Sequence, residues 1–305
     1  MISNSGAAKL KIMITGANGR LGRKLIKRLL AGGEHEVVAV VRSERAAEQV
    51  RADGLACTVK VLDYGDSDAL KAAGADCGAV VHLVGIIKES RANTFHQAHE
   101  APCQALLDAG LAAERMIYLG VLGTDLASRN ACFRSRANAE RILASGPAPT
   151  IVLRVPMVLG ADDYASRSLI ANAKAKVVLT WRAAAKEQPI AGDDVIKAIL
   201  AALEMQLPTT STVLSLSGAE SISRKTLIER AAKLVGGKPS VISLPLWLGM
   251  ALAWLLERLM PAPPITRAML GVLDHDDAID PLPATRALGI TLTPLDKILR
   301  ALLTS

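Results

Sequence analysis

The chain predicts an α/β fold, a doubly wound parallel sheet followed by a smaller, mostly helical C-terminal lobe, and three observations carry that expectation. Between residues 10 and 153, continuous apolar runs alternate with segments of helical period. Strands apolar on both sides belong to parallel sheets covered by helices on both faces. A turn punctuated by glycines, Gly16-Ala17-Asn18-Gly19-Arg20-Leu21-Gly22, joins the first run to the first helical segment. After the sixth run the alternation lapses, and from Ser223 onward helices dominate, cut by Pro245, Pro261, Pro263 and Pro264.

Taken in order, residues 10–14 form the first strand, and Leu21, Leu25, Leu29 and Leu30 then recur at helical spacing until Gly32-Gly33 stops the helix. Strands follow at 36–41, 58–62, 79–84, 116–119 and 150–153, with helices at 46–52, 67–73, 93–109 and 132–144 between them. Residues 168–180 read as helix then strand, 194–204 as a helix capped by Asp193 or Asp194, and 213–216 as a short strand. The expected division is a dinucleotide-binding Rossmann domain over 10–160, with 190–218 returning to its sheet and 161–189 and 219–305 forming the lobe.

Composition narrows the function. With 305 residues and 50% hydrophobic content the chain buries a large core, and its net charge of +7 is spread along the sequence. Only 3% of residues are aromatic, too few for base-stacking platforms, so nucleic acid is not an expected partner. Cys57, Cys77, Cys103 and Cys132 form no CxxC pair, which predicts reduced thiols and no metal site. Residues 1–9 lack a signal-peptide core, so the expected location is the cytoplasm, or a peripheral position at the inner face of a membrane.

The glycine turn has the logic of a diphosphate cradle: close backbone approach and a helix N-terminus aimed at an anion. Its candidate contacts are Gly16, Asn18, Gly19, Arg20, Leu21 and Gly22. At the end of the second strand, where a carboxylate would select NAD(H), the chain carries Arg42, and Arg20 is a second cation. A guanidinium suits a 2′-phosphate, so NADP(H) is favoured, with NAD(H) the alternative. Asp63 and Tyr64 sit where side chains border the adenine, although Asp63 serves equally well as a cap for the helix near Ser67. Val84 and Gly85 close the fourth strand and bring backbone near the cofactor, or Gly85 simply ends the strand. Residues 244–260 are apolar almost all round. Such a helix is buried in the lobe or meets a membrane surface or hydrophobic protein partner.

The glycine turn, Val81-His82-Leu83-Val84-Gly85-Ile86-Ile87, Leu122-Gly123-Thr124-Asp125, Phe133-Arg134-Ser135-Arg136-Ala137-Asn138-Ala139-Glu140, Leu153-Arg154-Val155-Pro156 and Pro263-Pro264-Ile265-Thr266-Arg267 together resemble the atypical short-chain dehydrogenases/reductases. The resemblance is to the group that includes the Rossmann-type accessory subunit of respiratory complex I. It implies that Pro156, Met157 and Val158 lie against the nicotinamide end. It also places Gly120 where active relatives have serine, Cys132 where they have tyrosine, Arg136 where they have lysine, and His99 where many have asparagine. Arg136 keeps a charge for the ribose hydroxyls but is a poor proton shuttle. The resemblance therefore implies an NADP(H)-binding protein with degenerate catalytic residues and little or no turnover, linked to respiratory-complex or quinone biology. The competing expectation is an active NAD(P)H-dependent reductase or epimerase on a small or isoprenoid substrate, with Cys132 or His99 replacing the tyrosine.

Overall fold

The apolar runs become strands β1 (Lys11–Thr15), β2 (Glu36–Val41), β3 (Thr58–Val61), β4 (Ala79–His82), β5 (Arg115–Val121) and β6 (Thr150–Val155). The computed structural model describes residues 10–33, 35–160 and 163–304. Between the strands run α1 (Arg20–Ala31), α2 (Glu44–Arg51), α3 (Ser67–Gly74), α4 (Ala101–Asp108) and α5 (Ala131–Ala144). Beyond β6 come β7 (Val158–Leu159), α6 (Tyr164–Lys174), β8 (Val177–Trp181), β9 (Lys186–Glu187), β10 (Ile190–Ala191), α7 (Gly192–Glu204) and β11 (Thr212–Ser215).

Seven strands form one parallel sheet in the order β11-β6-β5-β4-β1-β2-β3. Strand order reverses between β1 and β4, which opens a crevice at their carboxyl ends. The two-residue period of the strands sorts side chains into two cores. Ile12, Ile14, Val37, Ala39, Ile117 and Ile151 pack with Leu25, Ile26 and Leu29 of α1 and Val195 and Ile199 of α7. Met13, Val38, Val40, Val80 and Tyr118 pack with Leu70 of α3, Cys103 and Leu106 of α4, and Leu143 of α5.

The chain ends with β12 (Ile222–Ser223), α8 (Arg224–Leu234), β13 (Ser240–Leu244), α9 (Leu246–Leu259), α10 (Arg267–Leu273), α11 (Leu282–Leu288) and α12 (Leu295–Leu303). A third core joins α6, α8 and α12 through Leu169, Leu227, Ile228, Ile298 and Leu299. Three local expectations change. The helix expected over 93–109 is a π-helical turn, His96–Glu100, leading into α4. Pro102 lacks the N–H that a regular turn would offer to the carbonyl four residues back, so the backbone widens there. Neither Asp193 nor Asp194 caps α7: its N-cap is Ala191, and buried Asp194 instead accepts from Thr293 N–H at 2.6 Å and Oγ1 at 3.0 Å. Within the helix-dominated tail, β13 pairs in parallel with β8.

Candidate functional site

At the glycine turn, Gly16 adopts φ +75°, and a Cβ there would stand 3.1 Å from the Leu83 carbonyl carbon and 3.2 Å from the Val84 nitrogen. Only glycine lets β1 exit so close to the end of β4. A Cβ on Gly22 would meet Ala17 O at 2.7 Å and Gly16 O at 2.8 Å, so this glycine seats α1 on the turn. Gly16 N–H donates to the Tyr64 hydroxyl at 3.0 Å and Gly19 N–H to Gly16 O at 3.0 Å. Those two amides shape the turn. The donors left for a diphosphate are at the start of α1, before its first internal bond from Arg23 N–H to Gly19 O at 2.9 Å. Asn18 reaches Gln49 at 3.3 Å, which ties the turn to α2.

The Tyr64 side chain is buried beneath the turn and donates to Val40 O at 3.2 Å. Asp63 does not cap α3. It accepts from Gly65 N–H at 2.9 Å, and Asp66 is the cap, through Ala69 N–H at 3.0 Å. Arg42 is exposed at the end of β2, with no ion pair to it among the described residues. Glu44 next to it pairs with Arg51 at 3.3 Å, so its charge is drawn off along α2, while Ser43 caps that helix.

Over the ends of β4 and β5 the structure brings Cys132 and His99 together at one backbone atom, Ile86 O, with Arg136 alongside at Gly85. His99 Nε2 lies 3.0 Å from it and 3.1 Å from Ile86 N, and the Cys132 thiol donates to it at 3.7 Å. Burial, reinforced by the Arg136 charge, pushes the His99 pKa down to about 3. Burial lifts the Cys132 thiol to about 11 against the pull of Arg136. Burial thus favours the neutral form of both groups. Arg136 is buried with no carboxylate in ion-pair reach among the described residues, and it donates to Tyr118 Oη at 3.0 Å, Leu119 O at 3.2 Å and Val84 O at 3.4 Å. Its Nε, like His99 Nδ1 and His82 Nε2, is buried without a hydrogen-bond partner among the described residues. Gly85 makes room for this guanidinium, because a Cβ there would overlap Arg136 Nη2. At Gly120 a Cβ would meet Glu140 Oε1 at 2.9 Å, so the Arg154–Glu140 pair holds the space a serine would need.

The cradle, the helix N-terminus and the orphaned Arg136 Nε near the ends of β4 and β5 fit a nicotinamide dinucleotide laid across the β1/β4 crevice. Beyond its far end opens a cavity of about 370 Å³ bordered by Pro156, Met157 and Val158 together with Val121, Leu122 and Phe133. Its polar lining is clustered. Glu187 and Arg224 pair at 2.6 Å, and His275 Nδ1 meets Asp277 Oδ1 at 3.0 Å. Burial raises the Glu187 pKa against the opposing pull of Arg224. The hydrogen bond to Asp277 raises that of His275. None of these four residues stands out by spacing. The only signal is a histidine set among acids, Asp274-His275-Asp276-Asp277.

Comparison with known proteins agrees with this geometry. The chain is 26% identical over 258 residues to the mitochondrial NADH dehydrogenase [ubiquinone] 1 alpha subcomplex subunit 9 of Arabidopsis thaliana, covering 82% of this chain and 64% of that protein. It is 28% identical over 179 residues to a 4-hydroxy-2-methyl-3-oxo-4-farnesyl-3,4-dihydroquinoline-1-oxide ketoreductase of Stigmatella aurantiaca, covering 51% and 52%. The chain thus spans less than two thirds of the length of either relative. Among solved structures, the triphenylmethane reductase of Citrobacter sp. superposes with a TM-score of 0.75 at 19% identity over 97% of this chain and 100% of that one. The profile of a family described as NAD(P)H-binding matches residues 16–206, well over half the chain, and the protein belongs to that NAD(P)H-binding family.

Proposed function

We propose that this protein binds NADP(H) and uses it to reduce an apolar compound bearing a ketone or quinone carbonyl. The observation that carries the proposal is the cavity of about 370 Å³, mostly apolar, that begins at Pro156–Val158, where the resemblance puts the nicotinamide. A farnesyl-bearing ketone is named among the substrates of the relatives, and a chain of that kind suits such a lining. When bound, the reduced nicotinamide supplies hydride. The protein holds the diphosphate at the start of α1, sets Arg42 toward a 2′-phosphate, and presents Arg136 to the ribose. The test is NADPH oxidation by the purified protein with farnesylacetone, decyl-ubiquinone and acetone. Saturable oxidation with the two long-chain compounds and none with acetone is expected. No oxidation with any of them overturns the proposal.

A second reading, a cofactor holder with degenerate catalytic residues, draws support from Cys132 and His99, where burial favours the protonated thiol and the neutral imidazole. Under it NADPH raises the melting temperature while every substrate leaves the cofactor unoxidised.

Helix α9 supports docking on an anionic membrane surface. Among the described residues no helix is long and apolar enough to cross a membrane. Yet only Gly249 and Ala253 of α9 are buried, and Trp247 and Leu259 are each 70% exposed. The expected burial fails because small residues form the packed face: a Cβ at Gly249 would lie 3.1 Å from Trp181, so the bulky side chains turn outward. Arg258 stacks on Trp254 at 4.1 Å, and the chain carries +7, which suits anionic headgroups. Co-flotation with phosphatidylglycerol vesicles, lost in Trp247→Ser/Trp254→Ser, is the expected result. Absence of wild-type flotation removes the membrane from this account.

A further inference from the structure

His275 and Asp277 lie outside every motif of the sequence, yet both line the cavity, and their position relative to the vacated catalytic positions is specific. The His275 ring meets Phe133 edge-on, with ring centroids 5.4 Å apart. Phe133 is the neighbour of Cys132, which holds the tyrosine position. On its other side the imidazole lies against Gly123, in the loop that follows β5, whose penultimate residue is Gly120 at the serine position. A Cβ at Gly123 would stand 2.7 Å from His275 Nε2 and Cδ2. The imidazole therefore packs between Phe133, next in sequence to the tyrosine position, and Gly123, three residues past the serine position, at the wall of the cavity.

The ring is held in one orientation. Nδ1 faces Asp277 Oδ1 at 3.0 Å, while Nε2 has no hydrogen-bond partner among the described residues. The carboxylate is fixed in turn by its backbone, with Asp277 N–H donating to Lys186 O at 3.0 Å and Ser221 Oγ donating to Asp277 O at 2.6 Å. A carboxylate on Nδ1 leaves Nε2 to carry a proton, and the residue lines the cavity.

We propose that His275, positioned by Asp277, is the proton donor that replaces the missing tyrosine. This rests on the reduction of a carbonyl in the cavity. A reduced nicotinamide gives hydride to the carbonyl carbon and is oxidised, the C=O π bond breaks, and the oxygen takes a proton from His275 Nε2. The products are an alcohol and a neutral imidazole, which solvent reprotonates. His275 is a catalytic residue in this scheme and Asp277 a positioning residue. The charged groups around the imidazole are Asp277, Asp276 and Asp274, the latter two paired with Arg182, and the Glu187–Arg224 pair that also lines the cavity. Gly123 and Phe133, from the elements packed on it, carry no charge.

The test uses the full chain with NADP+ and farnesylacetone labelled with carbon-13 at its carbonyl, a complex that cannot turn over. The infrared carbonyl band is expected to move to lower wavenumber on binding and to return toward its solution position in His275→Phe and His275→Gln. With NADPH, His275→Phe is expected to lower kcat on the order of a hundredfold with KM changed less than threefold. Wild-type kcat falls as pH rises through the histidine pKa, and Asp277→Asn moves that break to lower pH. If the ketone binds and is reduced but the band and kcat are the same in both His275 variants, the dyad is wrong and the cavity assignment stands. If the ketone neither binds nor is reduced, the cavity assignment falls and takes the dyad with it.

Discussion

Helices α1 and α9 each follow a strand and each is rich in leucine, but they meet opposite fates. In α1 the four buried positions, Gly22, Leu25, Ile26 and Leu29, form one stripe, and the remaining face carries Arg23, Lys24, Lys27 and Arg28. In α9, apolar on almost every side, only Gly249 and Ala253 are buried and the large side chains face outward. Periodicity decides which side of a helix is covered, whereas total hydrophobicity decides only that some surface must eventually be covered. The α1 stripe belongs to the fold. The α9 face stays exposed among the described residues.

Substitutions should separate the two helices, beginning with the largest effect. Leu25→Ala, at a fully buried position, is expected to cost ~2–5 kcal/mol by urea denaturation, whereas Leu255→Ala, 46% exposed, should stay within ~0.5 kcal/mol. Equal losses would mean that α9 is covered by its own chain. Acid sharpens the contrast between the two halves of the site. His82 and His99 are held neutral, with pKa values near 3, chiefly by burial. Because the unfolded histidines bind protons first, stability should fall as pH drops from about 6.5 toward 3, by ~1.4 kcal/mol per pH unit for each histidine that resists protonation. His275 has the opposite sign: its raised pKa adds stability at acid pH that is lost as pH rises through the folded value. Denaturation midpoints of His99→Asn and His275→Gln across that range would reveal both slopes.

Smaller again, Arg42→Ala should weaken NADPH binding roughly tenfold to a hundredfold, for a charge-assisted bond worth ~1.5–3 kcal/mol, while leaving NADH unchanged. Fluorescence titration of both cofactors checks this, and equal losses would remove the 2′-phosphate from the account of Arg42. The smallest effect on stability is expected from Trp247→Ser/Trp254→Ser, whose consequence should appear only in vesicle binding.

The α1 turn and the sheet were legible because their signals are local: glycine spacing, alternating runs and helical period all act within a few residues. The sequence could also place Cys132, Arg136 and His99 near one another by resemblance. It could not show that Gly85 exists to admit the Arg136 guanidinium, or that Arg154 and Glu140 fill the space beside Gly120, because those contacts join residues far apart in the chain. Nor could it show the Tyr64 hydroxyl accepting from Gly16 across 48 positions. The cavity acids and His275 lacked any spacing signal. The outward turn of α9 hung on Gly249 facing Trp181, a packing detail invisible to hydropathy.

The end of the chain stitches the two halves together. Ala284 and Leu288 of α11 lie in the core beneath the parallel sheet, whereas Leu295, Ile298 and Leu299 of α12 lie in the third core with α6 and α8, and Thr293 between them clasps Asp194. A minimal coenzyme-binding fragment cut after β11 would therefore leave a bare groove where α11 belongs and an unclasped carboxylate on α7. A frameshift that spoiled only the last few dozen codons would damage both halves at once, so the two have to be inherited, expressed and engineered as a unit.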